Sequence, residues 1–595
     1  MSSEYLGRVV KVDLNAIEVA VSKNAESSFQ GSDGNDYRVG QLGSMVKVVI
    51  SQDLVLIGLI SSVIGSPDDS ITTLGEANYS SEIIEVQLLG EISKNSGFTK
   101  GIGTYPTIND EVQLALEADL KTIYGEETEG QIPIGCHSSS NSLPIFLNLK
   151  NLILRHSAIL GSTGSGKSNT TAHILKNILN AYPGSRIVLV DPHGEYASAF
   201  KDKARVFRIN DQANPLYIPF WTMTFDELSF FLVGRQEGQE RPEDKRFRDE
   251  ILNLKKDNVS KLRSGSITAE QLTADSPIPF DIRLMWYNFN REVNATHREA
   301  HRESQTKETE CLLSEGNPSQ LIGAKFEPYE MGSLPPYKSK NETMYSYEKK
   351  IYSRLKDSNY DFMFNPGEYF DKDCSIDLDE LIRSWIDNEE RLTILDLSGI
   401  PFELTDISVG LITRIIFDTM YWGKSEDYTG RNRPLLMVYE EAHSYLPRNP
   451  SSSHIYGYAR KAVEKIFKEG RKFGIGASVV TQRPSEVSET ILTQAGTFVA
   501  LRLTNSGDKN SVKSAAPHNM TGLMDLLPSL RIGEAVIVGE ARTIPSRVRI
   551  PLVEPRPSSD DPDLINSWKK NFKGKKNKYK NIVKSMRTKR TKNQF

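Results

Sequence analysis

The chain has 595 residues, of which 38% are hydrophobic and 25% charged, and its 73 Lys and Arg against 77 Asp and Glu give a formal net charge of −4. This composition is typical of a soluble globular protein, and the length exceeds what one hydrophobic core usually supports, so we expect several domains. Three widely spaced cysteines with no Cys-x-x-Cys pair argue against a disulfide framework and a zinc site.

The N-terminus and the most apolar window bear on localisation. The stretch MSSEYLGRVV lacks the basic region followed by an apolar region that a signal peptide needs. The window Leu54–Gly65 is shorter than the ~20 residues of a membrane-spanning helix and predicts a core strand. With the cysteine usage, these features predict a cytoplasmic protein that does not contact a membrane.

Residues 1–130 alternate short apolar runs with turn residues. The runs LGRVVKVDLNAIEVAV, SMVKVVI, DLVLIGLISSVIG and SEIIEVQLLGEI are separated by Gly, Asn, Asp and Ser. Short β-branched runs broken by such residues are typical of a small antiparallel barrel or sandwich. We predict an all-β N-terminal domain of the barrel type over these residues.

The next part of the chain has the texture of an α/β protein. Strands alternate with amphipathic segments over residues 131–224 and 391–555, which predicts a central, mostly parallel sheet. Residues 225–390 are rich in charge and in helical patterns, which predicts a helical insertion between the two parts of the core. Continuous apolar runs, as expected of strands buried on both faces, occur at Ile187–Asp191, Leu392–Leu397, Leu435–His443, Ala477–Gln482, Gly496–Leu503 and Gly533–Gly539.

The end of the chain is strongly basic. Residues 569–595 hold twelve Lys and Arg and no acid, so the rest of the chain carries 61 basic residues against 77 acidic ones. Pro and Ser cluster over Glu554–Pro562, so residues 556–595 are predicted to be a linker followed by a basic tail. Such a tail either contacts phosphates or is a disordered, solubilising end.

The stretch GSTGSGKS matches the pattern GxxxxGK[ST] that grips nucleotide phosphates. Its glycines let backbone N–H groups point at phosphate oxygens, Lys167 reaches the β- and γ-phosphates, and the Ser168 hydroxyl ligates Mg²⁺. An apolar run before it and a helical pattern after it supply the strand and the helix N-terminus of such a site. The sequence therefore predicts ATP and Mg²⁺ as cofactors. The predicted binding residues are Gly161, Ser162, Thr163, Gly164, Ser165, Gly166, Lys167, Ser168 and Asn169.

Carboxylates follow three of the predicted strands, at the edge where the phosphate loop of a parallel sheet lies. In LLMVYEEAH two adjacent acids point to opposite faces, so their roles divide. We assign Glu440 to the Mg²⁺ shell, through water, and Glu441 to polarising the attacking water. Asp191 is either a second acid of the metal shell or the cap of a turn, and Asp396 is interpreted as a structural strand end.

Hydrolysis in motors of this kind also uses an arginine that touches the γ-phosphate, worth about 10³–10⁵ in rate. Arg471 lies just before a predicted strand in EGRKFGIGASVVTQRPSE, and Arg155 lies shortly before the phosphate loop. Both are candidates for this role. Gln482, just after the same strand, is a candidate sensor of the γ-phosphate. His193 and His443 have no partner at metal-ligand spacing and are interpreted as supporting residues.

Together these motifs resemble those of the HerA-type ATPases, hexameric DNA translocases of prokaryotes related to the FtsK motor. The resemblance covers most of the chain and depends on the order and joint presence of motifs that are weak singly. It implies a RecA-like P-loop NTPase core of α/β class behind a small N-terminal β-barrel. The motifs in chain order are RHSAILGSTGSGKSNTTAHIL, VDPHGEY, NPLYIPFWTMTFDEL, DLSGIP, EEAHSYLP, EGRKFGIGASVVTQRPSE, LRLTN and GEAVIVGEARTIPSRVRI.

The resemblance implies a ring of six subunits, with ATP between neighbours and duplex DNA in the central channel. Lys167, Glu440 and Glu441 match the loop lysine and the acid pair that carry hydrolysis in the family. The sequence departs from the family at Glu440, where Asp is more frequent. The extra methylene displaces the carboxylate, and Asp191 could then take its place at the metal.

The resemblance also implies partners. Arg155 and Arg471 match the family's arginines at the subunit interface. Family members work with a partner nuclease in DNA end processing, or with a sirtuin-like NAD-consuming effector or a nuclease in defence against phage. We therefore predict an ATP-hydrolysing ring motor that translocates on or unwinds double-stranded DNA, together with a separately encoded effector.

Two other functions fit the same motifs. One is a nucleotide-gated scaffold that assembles and activates an effector while hydrolysing ATP slowly. The other is a conjugation-type pump ATPase, which the lack of a membrane segment in the sequence disfavours.

Overall fold

The computed structural model divides the chain into two units. The first contains Met1–Leu189, Glu195–Lys201 and Met420–Ser559, and the second contains Val190–Gly194, Asp202–Thr419 and Asp560–Phe595. The structure describes residues 5–14, 16–22, 28–30, 36–38, 42–65, 79–94, 97–125, 127–138, 142–209, 211–235, 241–262, 267–299, 311–329, 334–338, 344–369, 374, 376–449, 457–516, 521–542, 544–558, 563–569 and 579–588. Parts of the predicted linker and basic tail, residues 559–562, 570–578 and 589–595, lie outside the described residues.

The N-terminal strands close into a barrel, as the sequence predicts. The strands of this region are β1 (Tyr5–Val12), β2 (Ala16–Ser22), β3 (Ser28–Gln30), β4 (Asp36–Arg38), β5 (Met45–Val49), β6 (Leu54–Gly65), β7 (Tyr79–Ser93), β8 (Gly97–Lys100) and β9 (Glu111–Leu114). β3 pairs with β4 in a separate two-stranded sheet, and β8 pairs with β7 outside the ring. The ring runs in the order β2-β1-β9-β5-β6-β7, and β7 pairs with β2 to close it. Closure removes the free edges of the ring and buries inward-facing side chains such as Val9, Val46 and Val86.

The phosphate loop lies in the part of the first unit that follows the barrel. Its elements are α1 (Glu117–Tyr124), β10 (Gln131–His137), β11 (Pro144–Asn148), α2 (Leu149–Leu154), β12 (Ser157–Leu160), α3 (Lys167–Ala181), β13 (Ile187–Asp191) and α4 (Ala197–Phe200). Helix α3 buries the apolar face that the sequence predicts, including Ala172, Leu175 and Leu179. It ends at Tyr182, because the following Pro183 cannot continue a helix.

A mainly helical segment forms most of the second unit. Its elements are β14 (Arg205–Arg208), α5 (Phe225–Val233), α6 (Pro242–Val259), α7 (Ile282–Asn294), β15 (Thr296–His297), β16 (Leu312–Ser314), β17 (Lys325–Phe326), β18 (Tyr337–Lys338), α8 (Tyr345–Lys356), α9 (Asp361–Phe364), α10 (Leu378–Ile386), β19 (Leu392–Asp396) and α11 (Phe402–Trp422). Phe247 packs at its centre, with ring centroids 5.6 Å from Phe225 and 6.0 Å from Phe289. The residues predicted as a helical insertion, 225–390, contain helices α5 to α10. They also contain two short antiparallel pairs, β15 with β18 and β16 with β17.

The remaining strands complete the core of the first unit. The elements are β20 (Leu435–Tyr439), α12 (Tyr458–Glu469), β21 (Ile475–Thr481), α13 (Glu489–Gln494), β22 (Thr497–Leu501), α14 (Ser506–Ala515), α15 (Thr521–Met524), β23 (Glu534–Gly539) and β24 (Ser546–Arg549). In the second unit, α16 (Leu564–Lys569) and α17 (Lys580–Thr588) follow. None of the described helices combines the length and the apolar character needed to cross a membrane.

The central sheet is mixed. In the first unit the strand order is β11-β10-β24-β23-β22-β12-β21-β20-β13. β12 pairs in parallel with β21 and β22, and β20 pairs in parallel with β21, whereas β23 joins β22 antiparallel. In the second unit β14 pairs in parallel with β19. The predicted run Gly533–Gly539 is therefore a strand, but it belongs to the antiparallel side of the sheet.

The residues just before the predicted linker are held against α3, and the first linker residues, Arg556 and Ser558, bond to Ser198 and Glu195. Lys176 Nζ donates to the carbonyl oxygens of Glu554 and Pro555 at 3.0 and 3.1 Å. Asn169 donates to the carbonyl of Pro551 and accepts from the N–H of Val553, at 3.0 and 2.9 Å. Residues 551–558, which we call the strap, are therefore part of the first unit.

Two buried histidines of the first unit stay neutral when the protein is folded. Burial lowers the pKa of His156 from 6.5 to about 4, and its Nδ1 accepts a hydrogen bond from the Ala477 N–H at 3.0 Å. Burial, with the nearby guanidinium groups of Arg542 and Arg547, lowers the pKa of His137 to about 4. Protonation of either ring therefore opposes folding.

We expect stability to depend on pH through these histidines. Their folded pKa lies below the unfolded value of 6.5, so their contribution is complete above pH 6.5 and is lost as the pH falls toward about 4. The loss amounts to at most about 3 kcal/mol of unfolding free energy for each ring. Urea unfolding of wild type and His156→Asn at a series of pH values measures it. Asn keeps an acceptor and tolerates the φ of 59° at this position, so the variant should fold and show a shallower pH dependence. An identical slope in both proteins would contradict this assignment.

Candidate active site

The phosphate loop connects β12 to α3 through a backbone that requires glycine. Gly164 and Gly166 have φ of 71° and 104°, in the left-handed region that side chains rarely adopt. A Cβ at Gly161 would lie 2.5 Å from Ser165 Oγ and 2.8 Å from Leu501 Cβ. The glycines of the motif are therefore demanded by the geometry of the loop.

Neighbouring strands hold the loop in place. The N–H and the Oγ of Ser162 both donate to the carbonyl oxygen of Arg502, just after β22, at 2.9 Å. The N–H of Gly533, just before β23, donates to the carbonyl of Ser165 at 3.1 Å. These contacts order the loop within the protein itself, so less conformational entropy is lost when phosphate binds.

The first two residues of α3 carry the polar groups of the loop. The Lys167 side chain is buried, and its Nζ lies 3.4 Å from the carbonyl oxygen of Ser162. Ser168 Oγ donates to Glu195 Oε2 at 3.0 Å. The hydroxyl that the motif assigns to Mg²⁺ thus meets a carboxylate.

Glu195 is a residue that the sequence interpretation missed. It lies in VDPHGEY, in the loop between β13 and α4. The sequence prediction instead chose Asp191, the acid at the end of the strand. An acid a few residues beyond a parallel strand lies at the same edge of the sheet as one at the strand end. The second acid of VDPHGEY, Glu195, could therefore have been recognised from the sequence as a candidate.

The two acids after β20 have different surroundings, as predicted for adjacent residues. Glu440 is 1% exposed, and its Oε2 accepts a hydrogen bond from the Tyr196 hydroxyl at 2.6 Å. The Tyr445 hydroxyl donates to the backbone carbonyl of Glu440 at 2.6 Å. Glu440 is therefore anchored through both its side chain and its backbone.

Glu441 lies at a left-handed turn, with a φ of 48°. Its Oε2 is 3.1 Å from His443 Nδ1, which is itself 3.3 Å from Thr481 Oγ1 at the end of β21. A left-handed conformation costs a residue other than glycine roughly 1–2 kcal/mol. Strain of this kind is found where function requires a side chain to be aimed, and here it turns Glu441 toward His443.

Gln482 lies beside the phosphate loop, and its role as a sensor of the γ-phosphate stays a prediction. Thr163 Oγ1 donates to Gln482 Oε1 at 2.5 Å. The N–H of Gly161 donates to the carbonyl of Thr481 at 3.3 Å. The end of β21 therefore contacts the loop through both backbone and side chain.

The other two strand-end acids lie in the second unit. Asp191 Oδ1 accepts from the N–H of Gly194 at 2.9 Å, so Asp191 caps a turn, one of its two predicted roles. Its place in a metal shell stays a prediction. Asp396 accepts from Arg208 Nε at 2.6 Å and from the N–H of Ser398 at 3.0 Å, which fits its interpretation as structural.

The two candidate arginines lie on other elements of the first unit. Arg155 follows α2, and its Nε is 3.2 Å from Glu540 Oε2. Arg471 is exposed in the 3₁₀ turn Gly470–Phe473, immediately before β21. Their roles at a subunit interface stay predictions.

The donor set at Ser168 suits Mg²⁺. This ion prefers hard oxygen ligands and is usually held by one or two carboxylates together with substrate phosphates, rather than by a protein cage. The Ser168 hydroxyl and the Glu195 carboxylate provide such oxygens beside the phosphate loop. The described residues contain no group of three or more His, Cys, Asp or Glu side chains placed to hold a metal by themselves.

Two models of known protein families match this chain. Residues 132–416 match the model of the central domain of helicase HerA, and residues 429–573 match the model of the HerA-like C-terminal region. The chain belongs to the HerA helicase family. The resemblance inferred from the motifs is confirmed, and with it the enzyme class, an ATPase of the helicase type.

Two archaeal relatives illustrate the similarity. The chain is 28% identical to a DNA double-strand break repair helicase HerA of Saccharolobus solfataricus over 77% of this chain and 75% of that protein. It is 25% identical to the protein of the same name from Sulfolobus acidocaldarius over 87% of this chain and 90% of that protein.

Solved structures of two other proteins are similar at a lower level. The conjugative coupling protein TrwB has a TM-score of 0.42 and 15% identity, covering 75% of this chain and 94% of that one. VirB4 of Thermoanaerobacter pseudethanolicus has a TM-score of 0.44 and 12% identity, covering 72% and 99%. Both scores lie below 0.5, so the family assignment rests on the two family models.

The tight packing at Gly161 gives a direct test of the loop geometry. Gly161→Ala places a methyl group against Ser165 and Leu501, so the loop must shift, and we expect at least about tenfold weaker ATP binding. Titration with a fluorescent ATP analogue measures the affinity. Gly184→Ala is the matched control, because a Cβ at Gly184 meets nothing within 4 Å. Equal affinity in the two variants would be inconsistent with the loop described above.

Proposed function

We propose that this chain is an ATP-hydrolysing ring motor that translocates on or unwinds double-stranded DNA. The relatives named DNA double-strand break repair helicase HerA support it, because they align over most of both lengths. The observation that carries the proposal is the contact of Gln482 with Thr163 at 2.5 Å. A polar side chain at this place changes its contacts when the γ-phosphate arrives or leaves, which couples the nucleotide state to β21.

The phosphate loop binds the triphosphate. Its backbone N–H groups and the Lys167 ammonium neutralise the phosphate oxygens, and the N-terminal end of α3 adds positive potential. The Ser168 hydroxyl, together with a carboxylate at this edge of the sheet, would hold Mg²⁺. The ion supplies charge neutralisation at the β- and γ-phosphates.

Glu441 is the proposed base. Its carboxylate accepts the proton of the water that attacks the γ-phosphate, and His443 with Thr481 fixes the direction of that carboxylate. Glu440, one residue earlier, is anchored to Tyr196 and is therefore unsuited to accept the proton.

The ring is the second part of the proposal. We propose that ATP lies between neighbouring subunits of a hexamer, with the phosphate loop on one subunit and Arg471, Arg155 or both supplied by the next. An exposed position in a short turn suits Arg471 for reaching across an interface. Duplex DNA would occupy the central channel, and the basic tail would contact its phosphates.

A separately encoded effector completes the proposed system. It would be a nuclease or a sirtuin-like NAD-consuming protein, and the setting would be defence against phage or DNA end processing. This part of the proposal is supported by the family resemblance. Reconstitution with the products of neighbouring genes tests it directly.

A DNA motor should hydrolyse ATP faster on DNA. We expect duplex DNA to raise the ATPase rate at least about tenfold, because translocation couples turnover to the track. Glu441→Gln should bind ATP normally and hydrolyse it about 10²–10⁴ times more slowly. Glu403→Gln, at an exposed position at the start of α11, is the control. Slow turnover that DNA leaves unchanged would contradict the motor and favour the scaffold.

A site shared between subunits can be rebuilt from two inactive variants. We expect Arg471→Ala to lower turnover by about 10³-fold or more while a single subunit keeps its nucleotide affinity. Rings formed by co-expression of Arg471→Ala and Lys167→Ala contain some interfaces with an intact loop and an intact arginine, so part of the activity should return. Lys472→Ala, the adjacent exposed cation, should behave as wild type. Mixed rings no more active than their parents would place the arginine outside a shared site.

A further inference from the structure

Two glutamates of this chain are candidates for one role, that of the carboxylate that acts with Ser168 at Mg²⁺. In P-loop NTPases the acid of the later strand works beside the loop serine at Mg²⁺. Here the serine hydroxyl donates to a different acid, since Ser168 Oγ is 3.0 Å from Glu195 Oε2. The acid after β20, Glu440, has its Oε2 bound by Tyr196 at 2.6 Å.

Consecutive residues in the loop after β13 produce this division. Glu195 directs its carboxylate to Ser168, and Tyr196 directs its hydroxyl to Glu440. Tyr196 is 0% exposed and Glu440 is 1% exposed, so this pair is packed inside the first unit. A buried carboxylate with a short hydrogen bond from a phenol gains little by leaving it.

The strap fixes the backbone of Glu195. The N–H of Ser558 donates to the carbonyl of Glu195 at 2.8 Å, and Ser198 Oγ donates to the same oxygen at 3.3 Å. The two serine hydroxyls are 2.8 Å apart. Since Asn169, next to Ser168 on α3, bonds to the same strap, the serine and the glutamate are tied to one common segment.

We propose that Glu195 supplies the carboxylate that acts with Ser168 at Mg²⁺, and that Glu440 is a positioning residue that holds the Glu195–Tyr196 turn through Tyr196. The proposal rests on the proposed ATP site and refines it.

The test separates Mg²⁺ binding from catalysis. Affinity for a fluorescent ADP analogue is measured with Mg²⁺ and with EDTA. The ratio of the two affinities is the increase in ADP affinity that Mg²⁺ provides, which we call the Mg²⁺ gain. Binding of Mn²⁺ in the presence of ADP, followed by electron paramagnetic resonance, gives a second readout without turnover. Both measurements use the full chain and isosteric variants, whose thermal unfolding midpoints serve as the folding control.

We expect Glu195→Gln to reduce the Mg²⁺ gain at least about tenfold while affinity in EDTA stays the same. Glu440→Gln should keep the gain, because the amide oxygen of Gln still accepts from Tyr196. Should Glu440→Gln lose the gain, alone or together with Glu195→Gln, or should both variants keep it, the proposal is overturned.

A double-mutant cycle distinguishes loss of the shared Ser168–Glu195 function from general destabilisation of the protein. Ser168→Ala combined with Glu195→Gln should cost no more than the larger single change, because the two side chains act as one unit. Additive losses from this pair would contradict the proposal. Its failure is distinguishable from failure of the motor: wild type with a normal Mg²⁺ gain but no DNA stimulation would reject only the motor.

Discussion

The site depends on the register in which three parallel strands pair. β12 pairs with β21 so that Leu160 lies opposite Thr481, and β20 pairs with β21 so that Tyr439 lies opposite Val479. Parallel strands in this register end at one edge of the sheet. The phosphate loop, the acid pair and Gln482 therefore meet at one place, although residues 202–419 separate the first from the others in sequence.

Hydrogen bonds between side chains orient the groups that the sheet brings together. Gln482 meets the phosphate loop at Thr163, Tyr196 holds Glu440, and His443 holds Glu441. Tyr196 is distant in sequence from Glu440, whereas His443 lies two residues after Glu441 and is itself close to Thr481 at the end of β21. Such a shell determines geometry to a fraction of an ångström, which proton transfer and metal binding both require.

Much of this could be predicted from the chain alone. The loop motif implied its strand, helix and glycines because backbone geometry permits few ways to surround a phosphate, and the barrel followed from short runs broken by turn residues. The antiparallel pairing of β23 with β22 could not be predicted, because a continuous apolar run indicates a buried strand but not the direction in which that strand pairs. Nor could the strap, since a Pro- and Ser-rich stretch near the chain end is typical of a linker, whereas here residues 551–555 bond to α3 and Ser558 bonds to Glu195.

The sequence by itself determined the fold class, the HerA family and the geometry of the predicted phosphate loop, because these depend on local patterns of glycine, charge and apolar periodicity. Only the tertiary structure decided which acid meets which hydroxyl. That choice between Glu195 and Glu440 depends on how the loop after β13, the end of β20 and the strap pack together, and a distance of that kind is set by packing rather than by spacing along the chain.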